Sequence, residues 1–254
     1  MKYLSFVQRS QFKLKEFYKM KNKVQMNPLE RLVICYLVLF LLLGVYLAIF
    51  NQLYFDTIYT IEDGFLESLT VVALFTTAAV CFKRAFIFRS TQGVQFVLIN
   101  MLFSLIFFLA AGEEISWGQR IFNWESNEFF LQFNAQEETN FHNLTVNGIK
   151  INQLIFGLGF SIILLTYLLI LTPLYNNKPK FRTFMDSWGI PMPKHYQVLG
   201  YFVVAIAVEV IIKAFSDTGR RGELTEFVTS FWVLLNVAYP SNILLQNKDN
   251  IQDL

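Results

Sequence analysis

Residues 32–54 read LVICYLVLFLLLGVYLAIFNQLY and contain no charged side chain. A helix needs about 20 apolar residues to cross the hydrocarbon core of a bilayer, so this stretch is long enough to span one. Five further stretches meet the same condition, and none of them alternates as the strands of a membrane barrel do. The six predicted spans are Leu32–Tyr54, Gly64–Phe82, Val94–Gly112, Gln153–Leu174, Val198–Phe215 and Phe227–Leu245. The sequence therefore predicts an all-α, polytopic transmembrane helical bundle with about six spans.

The composition of the whole chain leads to the same class of protein. Of its 254 residues, 54% are hydrophobic, 17% are aromatic and 16% are charged. A soluble domain of this length carries about 25% charged residues, and disordered chains are poor in aromatic residues. Both classes are excluded, and the basic residues are explained by membrane topology rather than by binding to nucleic acid.

The charged residues are distributed unequally between the two ends of the predicted spans. The segments predicted to be cytoplasmic hold 16 basic and 5 acidic residues, whereas the opposite ends hold 4 basic and 13 acidic residues. Lysine and arginine are retained on the cytoplasmic side, so both termini are predicted to be cytoplasmic in a multi-pass protein of the plasma membrane. We predict a basic amphipathic segment over residues 1–31, a membrane domain over 32–245 with an outer loop over 113–152, and a cytoplasmic tail over 246–254.

The first polar cluster on the outer side precedes the second span. Thr60 and Asp63 have the spacing of a helix N-terminus, and capping accounts for Glu62 and Asp63. Glu67 lies one turn deeper, where capping is not expected to explain a carboxylate. We therefore predict that Glu67 belongs to a functional site.

The second cluster is the run AAGEEISWGQR, residues 110–120, at the outer end of the third span. If the helix continues through it, Glu113, Trp117 and Arg120 share one face. Two adjacent carboxylates emerging from an apolar helix favour a role in acid/base chemistry, with Arg120 as a neutralising cation. The structural alternative is a helix end with an internal ion pair and an interfacial tryptophan.

The third cluster occupies the outer loop, where Asn134, Gln136, Glu138, Asn140 and His142 recur at every second position. In an extended backbone these side chains would point the same way, whereas in a helix Glu138 and His142 would align. Either geometry gathers amides, a carboxylate and an imidazole. A solvated surface histidine is the alternative.

The fourth cluster is the turn between the fifth and sixth spans, where Arg220 and Arg221 stand between Gly219 and Gly222. Adjacent guanidinium groups can bind a phosphate or carboxylate group. They can equally neutralise the more numerous acids of the other clusters, and the two roles are compatible.

Two motifs carry a resemblance to known proteins. The run GEEISWGQR, residues 112–120, together with Asn-x-Gln-x-Glu-Thr-Asn-x-His-Asn, residues 134–143, resembles an uncharacterised family of bacterial multi-pass membrane proteins. The motifs cover the third span and the following loop, about one fifth of the chain. The resemblance implies a membrane topology and no particular activity.

These clusters predict an integral membrane enzyme that acts on a lipid or lipid-linked substrate at the outer leaflet by acid/base hydrolysis or group transfer. The alternatives are a non-catalytic assembly or scaffold protein and an ion- or proton-coupled transporter. Membrane lipids are the expected partners, and the carboxylates leave a divalent cation open as a cofactor. The candidate catalytic residues are Glu113, Glu114 and His142, and the candidate substrate-binding residues are Glu67, Gln119, Arg120, Asn134, Gln136, Glu138, Asn140, Arg220, Arg221 and Glu223.

Overall fold

Long helices account for most of the chain. The computed structural model describes residues 26–146, 149–151 and 157–242. Its helices are α1 (Pro28–Phe50), α2 (Phe65–Phe88), α3 (Val94–Glu114), α4 (Glu128–Phe133), α5 (Gly157–Asn177), α6 (Pro179–Ser187), α7 (His195–Phe215) and α8 (Arg221–Ala238), with shorter turns between them. Within the described residues, five helices are long and apolar enough to cross a membrane, namely α1, α2, α3, α5 and α7. The predicted all-α polytopic bundle is confirmed.

The sixth predicted span, Phe227–Leu245, differs from the helix that is observed. Helix α8 begins at Arg221, and its first turns carry the charged residues Arg221, Glu223 and Glu226. It ends at Ala238 because Tyr239 precedes Pro240, and a residue before proline is disfavoured in a helix. The helix thus begins six residues earlier than the predicted span, and its charged first turns lie beside the outer loop. Residues 243–245 of the predicted span lie outside the described part of the chain.

The core of the bundle is built on α2 and α8. Helix α2 packs along both α3 and α8, and α8 also packs against α7. At the contact between α7 and α8, Gly200 lies directly under the indole ring of Trp232, and a Cβ atom at position 200 would be 2.3 Å from that ring. The buried residues Leu224, Phe227 and Leu235 continue the inward face of α8.

Helix α7 contains a π-helical segment at Ile206–Ile212. This wider winding changes which side chains align, and Glu209 forms an ion pair with Arg221 at 3.6 Å.

The chain divides into two compact units at Val38, inside α1. In the first unit, the Glu30 carboxylate accepts a hydrogen bond from the backbone N–H of Asn27 at 2.8 Å, which caps the start of α1. The predicted amphipathic segment 1–31 falls mostly outside the described residues, and the predicted tail 246–254 falls wholly outside them.

The outer loop connects α3 to α5. It contains a short helix at Gln119–Phe122, helix α4, an antiparallel bridge between Asn134 and Leu144, and a hairpin of β1 (Thr145–Val146) and β2 (Ile149–Lys150). Residues 55–64 contact this loop, and residues 216–220 contact residues 55–64. We call the end of the bundle formed by these two segments and the loop the outer end.

A Gly200→Ala substitution tests the contact between α7 and α8. The added methyl group has no room beneath Trp232, so we expect a loss of about 1–3 kcal/mol in stability. The matched control is Gly222→Ala, because nothing lies within 4 Å of a Cβ atom at that position. Thermal unfolding in one detergent compares the two variants, and equal melting temperatures would contradict the packing described here.

Candidate functional site

The outer end of α3 stops abruptly after Glu114. Ser116, Trp117 and Gly118 follow with φ angles of 47°, 55° and 76°, which places three consecutive residues in the left-handed region. Only glycine adopts that conformation without cost, and the other two residues must be held there by contacts. The prediction that Glu113, Trp117 and Arg120 share one helical face is wrong for this reason.

The Glu113 carboxylate supports this turn. Its Oε1 atom accepts a hydrogen bond from the indole N–H of Trp117 at 2.9 Å, and its Oε2 atom accepts one from the backbone N–H of Phe141 at 2.5 Å. Both oxygens are therefore used to join the end of α3 to the far side of the outer loop.

The loop segment 134–144 is neither extended nor helical, so both predicted geometries are wrong. It is closed by the bridge between Asn134 and Leu144. The Asn134 side chain donates to the backbone oxygen and the side-chain oxygen of Asn140, both at 2.9 Å. It also accepts from the backbone N–H groups of Gln136 and Glu138. The two buried asparagines therefore organise the loop.

Glu138 is the buried carboxylate at the centre of the site. It is 6% exposed, and its Oε2 atom accepts hydrogen bonds from Ser116 Oγ at 2.5 Å and from Asn140 Nδ2 at 3.1 Å. Its other oxygen forms an ion pair with Arg120, which also pairs with Asp63. This set of contacts connects the segment before α2, the turn after α3 and the outer loop.

A polar cavity lies behind these contacts, at the outer ends of α2, α3 and α8. Its volume of about 30 Å³ holds only a few water molecules, whereas pockets for small-molecule ligands measure roughly 300–1,000 Å³. The residues that line it are Glu62, Asp63, Glu67, Glu113, Glu114, Arg120, Gln136, Glu138, Asn140, His142, Asn143 and Glu223. We call this space the acidic cavity.

Nine of the thirteen predicted site residues line the acidic cavity, and four do not. Arg220 lies beside it, where its guanidinium group is 3.4 Å from the Glu62 carboxylate and donates to the backbone oxygen of Thr60 at 3.3 Å. Arg221 is paired with Glu209, as described above. The remaining two are the amides Gln119 and Asn134, which are hydrogen bonded within the loop. Arg220 thus neutralises an acid of another cluster, one of the two roles predicted for it, whereas the partner of Arg221 lies in α7.

Several residues of the cavity were missed by sequence reasoning or given another role. Glu62 and Asp63 line it, although helix capping was expected to account for them. Conversely, Glu67 does take part in capping, because it accepts a hydrogen bond from the backbone N–H of Asp63 at 2.6 Å. Ser116, which orients Glu138, was overlooked, although it stands inside the quoted run GEEISWGQR.

Acidic side chains dominate the lining of the acidic cavity. Among the described residues, seven carboxyl groups line it, with one arginine and one histidine. Burial is the main cause that lowers the pKa of His142, although Glu113 and Glu62 oppose the shift, so its imidazole is neutral at pH 7. In the first turn of α8, burial together with Glu226 and Glu62 raises the pKa of Glu223 to about 7. The cavity therefore combines a neutral imidazole with a carboxyl group that titrates near neutral pH.

No group of three or more His, Cys, Asp or Glu side chains in the described residues is arranged to hold a metal ion. The carboxylates crowd one cavity without forming such a set. A divalent cation on these carboxylates stays a prediction from the sequence.

A second and larger pocket adjoins the acidic cavity on the side of the outer loop. Its volume is about 410 Å³, and it shares Arg120, Gln136 and Glu138 with the acidic cavity. The remaining lining residues are Gln119, Trp124, Glu125, Ser126, Leu131 and Glu137. We call this pocket the vestibule.

No protein-family model, curated protein or solved structure matches the chain. The resemblance to the uncharacterised bacterial membrane family therefore stays an expectation drawn from the two motifs.

An Asn134→Ala substitution tests the hydrogen bonding of the loop. It removes the donors and acceptors that hold segment 134–144, at an expected cost of about 1–3 kcal/mol. We expect amide hydrogen exchange in this segment to become about fivefold faster or more. Gln132→Ala on the exposed surface of α4 is the control, and an unchanged exchange rate in Asn134→Ala would contradict the role given to this side chain.

A Glu223→Gln substitution tests the charge of the acidic cavity. The folded protein keeps the Glu223 proton up to about pH 7, whereas the unfolded chain loses it near the ordinary value of 4.5. The folded state thus binds more protons between these values, and this residue's contribution makes stability fall as the pH rises from 4.5 to 7. We expect the melting temperature of the variant to fall less between pH 5 and pH 7.5 than that of the wild type.

The control for this measurement is Glu128→Gln, since Glu128 is exposed on α4 and does not line the cavity. It should keep the pH dependence of the wild type. Identical curves for Glu223→Gln and the wild type would contradict the assignment.

Proposed function

We propose that this membrane-spanning protein is an enzyme that acts on a lipid or lipid-linked substrate at the outer leaflet of the cell membrane, by acid/base hydrolysis or group transfer. The observation that carries the proposal is the convergence of Glu67, Glu114, Glu223 and His142 on one cavity. These residues come from three helices and a loop that are distant in the sequence. Such a cavity can both give and take a proton near neutral pH.

The two adjacent glutamates take different roles in this proposal. Both Glu113 oxygens accept hydrogen bonds from the turn and the loop, which makes Glu113 a positioning residue. Among the described residues, no hydrogen bond or ion pair engages the carboxylate of Glu114, although it lines the acidic cavity. Glu114 is therefore our candidate for the acid/base, and the neutral imidazole of His142 is its proton partner.

Binding of a phosphate or carboxylate group by Arg220 and Arg221, one of their two predicted roles, is not part of this proposal. Arg120, Arg220 and Arg221 are each paired with a carboxylate, and seven acids line the cavity. An anion would have to displace these pairs and approach a lining that is rich in carboxyl groups. We therefore expect the substrate to present a neutral or cationic group to the protein.

One observation favours a second candidate function, a non-catalytic assembly or scaffold protein. The hydrogen-bonding groups of three loop side chains are paired with one another and with neighbouring groups, namely those of Asn134, Asn140 and Glu138. A network that only holds a loop in place would have the same pattern. If the network has no other purpose, carboxylate-to-amide changes should lower stability and abolish no reaction.

The adjacent glutamates give a matched test of the two functions. In liposomes made from the lipids of the producing cells, we expect Glu114→Gln to lower lipid conversion by about 100-fold or more with an unchanged melting temperature. Glu113→Gln should instead lower the melting temperature, because an amide has one acceptor oxygen for the two N–H groups that Glu113 now binds. Mass spectrometry of the lipids and thermal unfolding measure the two effects.

The proposal fails if Glu114→Gln converts lipid as fast as the wild type, or if the wild type converts none. A loss of stability in both variants with no conversion by the wild type supports the scaffold.

A further inference from the structure

The vestibule has the size of a ligand site, unlike the acidic cavity beside it. Its volume of about 410 Å³ falls within the range of roughly 300–1,000 Å³ that small-molecule pockets occupy. One wall is preformed, because the Gln119 side-chain oxygen accepts hydrogen bonds from the Thr139 backbone at 2.8 Å and from Ser126 Oγ at 3.1 Å. The pocket is therefore held open by contacts within the loop itself.

The charge of the vestibule selects the kind of group that can enter. Among the described residues, Glu125, Glu137 and Glu138 line it with a single cation, Arg120. Arg120 is already paired with Glu138, and the ion pairs of the described residues leave Glu125 and Glu137 without a cation. A second positive charge in the vestibule would therefore be stabilised, whereas a lone phosphate would be repelled.

The indole ring of Trp124 also favours the binding of a cationic group in the vestibule. It lines the vestibule beside Glu125 and is 37% exposed. An ammonium group held over the face of a tryptophan gains about 0.5–2 kcal/mol from the ring quadrupole. Carboxylates next to an indole are thus suited to an amine.

Exposed apolar side chains in the segments that line the vestibule indicate where such an amine comes from. Ile121 and Phe122 follow the lining residues Gln119 and Arg120 in the sequence and are 71% and 75% exposed. Phe129, two residues before the lining residue Leu131 on α4, is 48% exposed. Large apolar side chains on a loop that follows a membrane span belong at the interface between head groups and acyl chains. The occupant is thus delivered by the bilayer and not by the aqueous phase.

We propose that the vestibule binds the amine-bearing head group of an outer-leaflet phospholipid, with the ammonium group against Trp124 and the carboxylates of Glu125 and Glu137. In this arrangement the exposed side chains of Ile121 and Phe122 contact the acyl chains. The inference rests on the proposed function, because it names the class of substrate on which the residues of the acidic cavity would act. The acidic cavity and the vestibule are separated by Arg120, Gln136 and Glu138, which line both.

Binding of two lipids that differ only in the head group tests the proposal. Purified, delipidated full-length protein in detergent is titrated with dioctanoyl phosphatidylethanolamine and, separately, with dioctanoyl phosphatidylglycerol, and binding is followed by native mass spectrometry. We expect the ethanolamine lipid to bind about tenfold more tightly, which corresponds to about 1.4 kcal/mol. N-acetylation of its amine should abolish that preference.

Variants locate the binding in the vestibule. The double variant Glu125→Gln/Glu137→Gln should lose the preference for the amine, and Trp124→Ala should weaken binding of the ethanolamine lipid more than Trp124→Phe does. Glu128→Gln is the control, because this exposed glutamate does not line the vestibule. Equal binding of the two lipids, or an unchanged preference in the double variant, overturns the proposal.

The Glu114→Gln variant tests the proposed function separately from the head-group assignment. Amine-selective binding that persists in Glu114→Gln, without any conversion of lipid by the wild type, refutes the enzyme and leaves the binding site standing. Conversion that Glu114→Gln abolishes, without any selectivity for the amine, refutes the head-group assignment and leaves the enzyme standing.

Discussion

The buried carboxylate of Glu138 fixes the arrangement on which the rest of the outer end depends. A carboxylate that is 6% exposed requires compensation for the water it has lost, and here Ser116, Asn140 and Arg120 provide it. Each of these partners comes from a different part of the outer region. The contacts that stabilise this one carboxylate therefore connect the turn after α3 to the outer loop. Arg120 also forms an ion pair with Asp63, in the segment before α2.

The ion pairs of Arg120 also affect the electrostatic character of both pockets. Arg120 stands in the wall shared by the acidic cavity and the vestibule, and it is already engaged by two carboxylates. Arg220 and Arg221 are engaged in the same way at the edge of the site. Because these three arginines are paired with carboxylates, acidic groups outnumber unpaired cations among the described residues that line the two pockets.

The bundle could be predicted from the sequence because lipid imposes a simple requirement: spans must be long and apolar, and cations stay on one side. Convergence of Glu67, Glu114, His142 and Glu223 follows from the same rule, which gathers the outer ends of the spans. Local geometry could not be predicted in this way. The left-handed run after α3 and the closed loop from Asn134 to Leu144 depend on contacts between distant segments, and no periodicity encodes them.

The end of α3 explains why two neighbouring glutamates differ in chemistry. Successive helical residues point about 100° apart, so Glu113 faces the turn and the loop while Glu114 faces the ends of neighbouring helices. Glu113 meets two N–H donors there and is held as an acceptor. Glu114 meets the carboxylates of Glu67 and Glu223 around the acidic cavity. The proposed acid/base role therefore falls to Glu114 and not to Glu113, because no hydrogen bond or ion pair from the described residues engages the Glu114 carboxyl group.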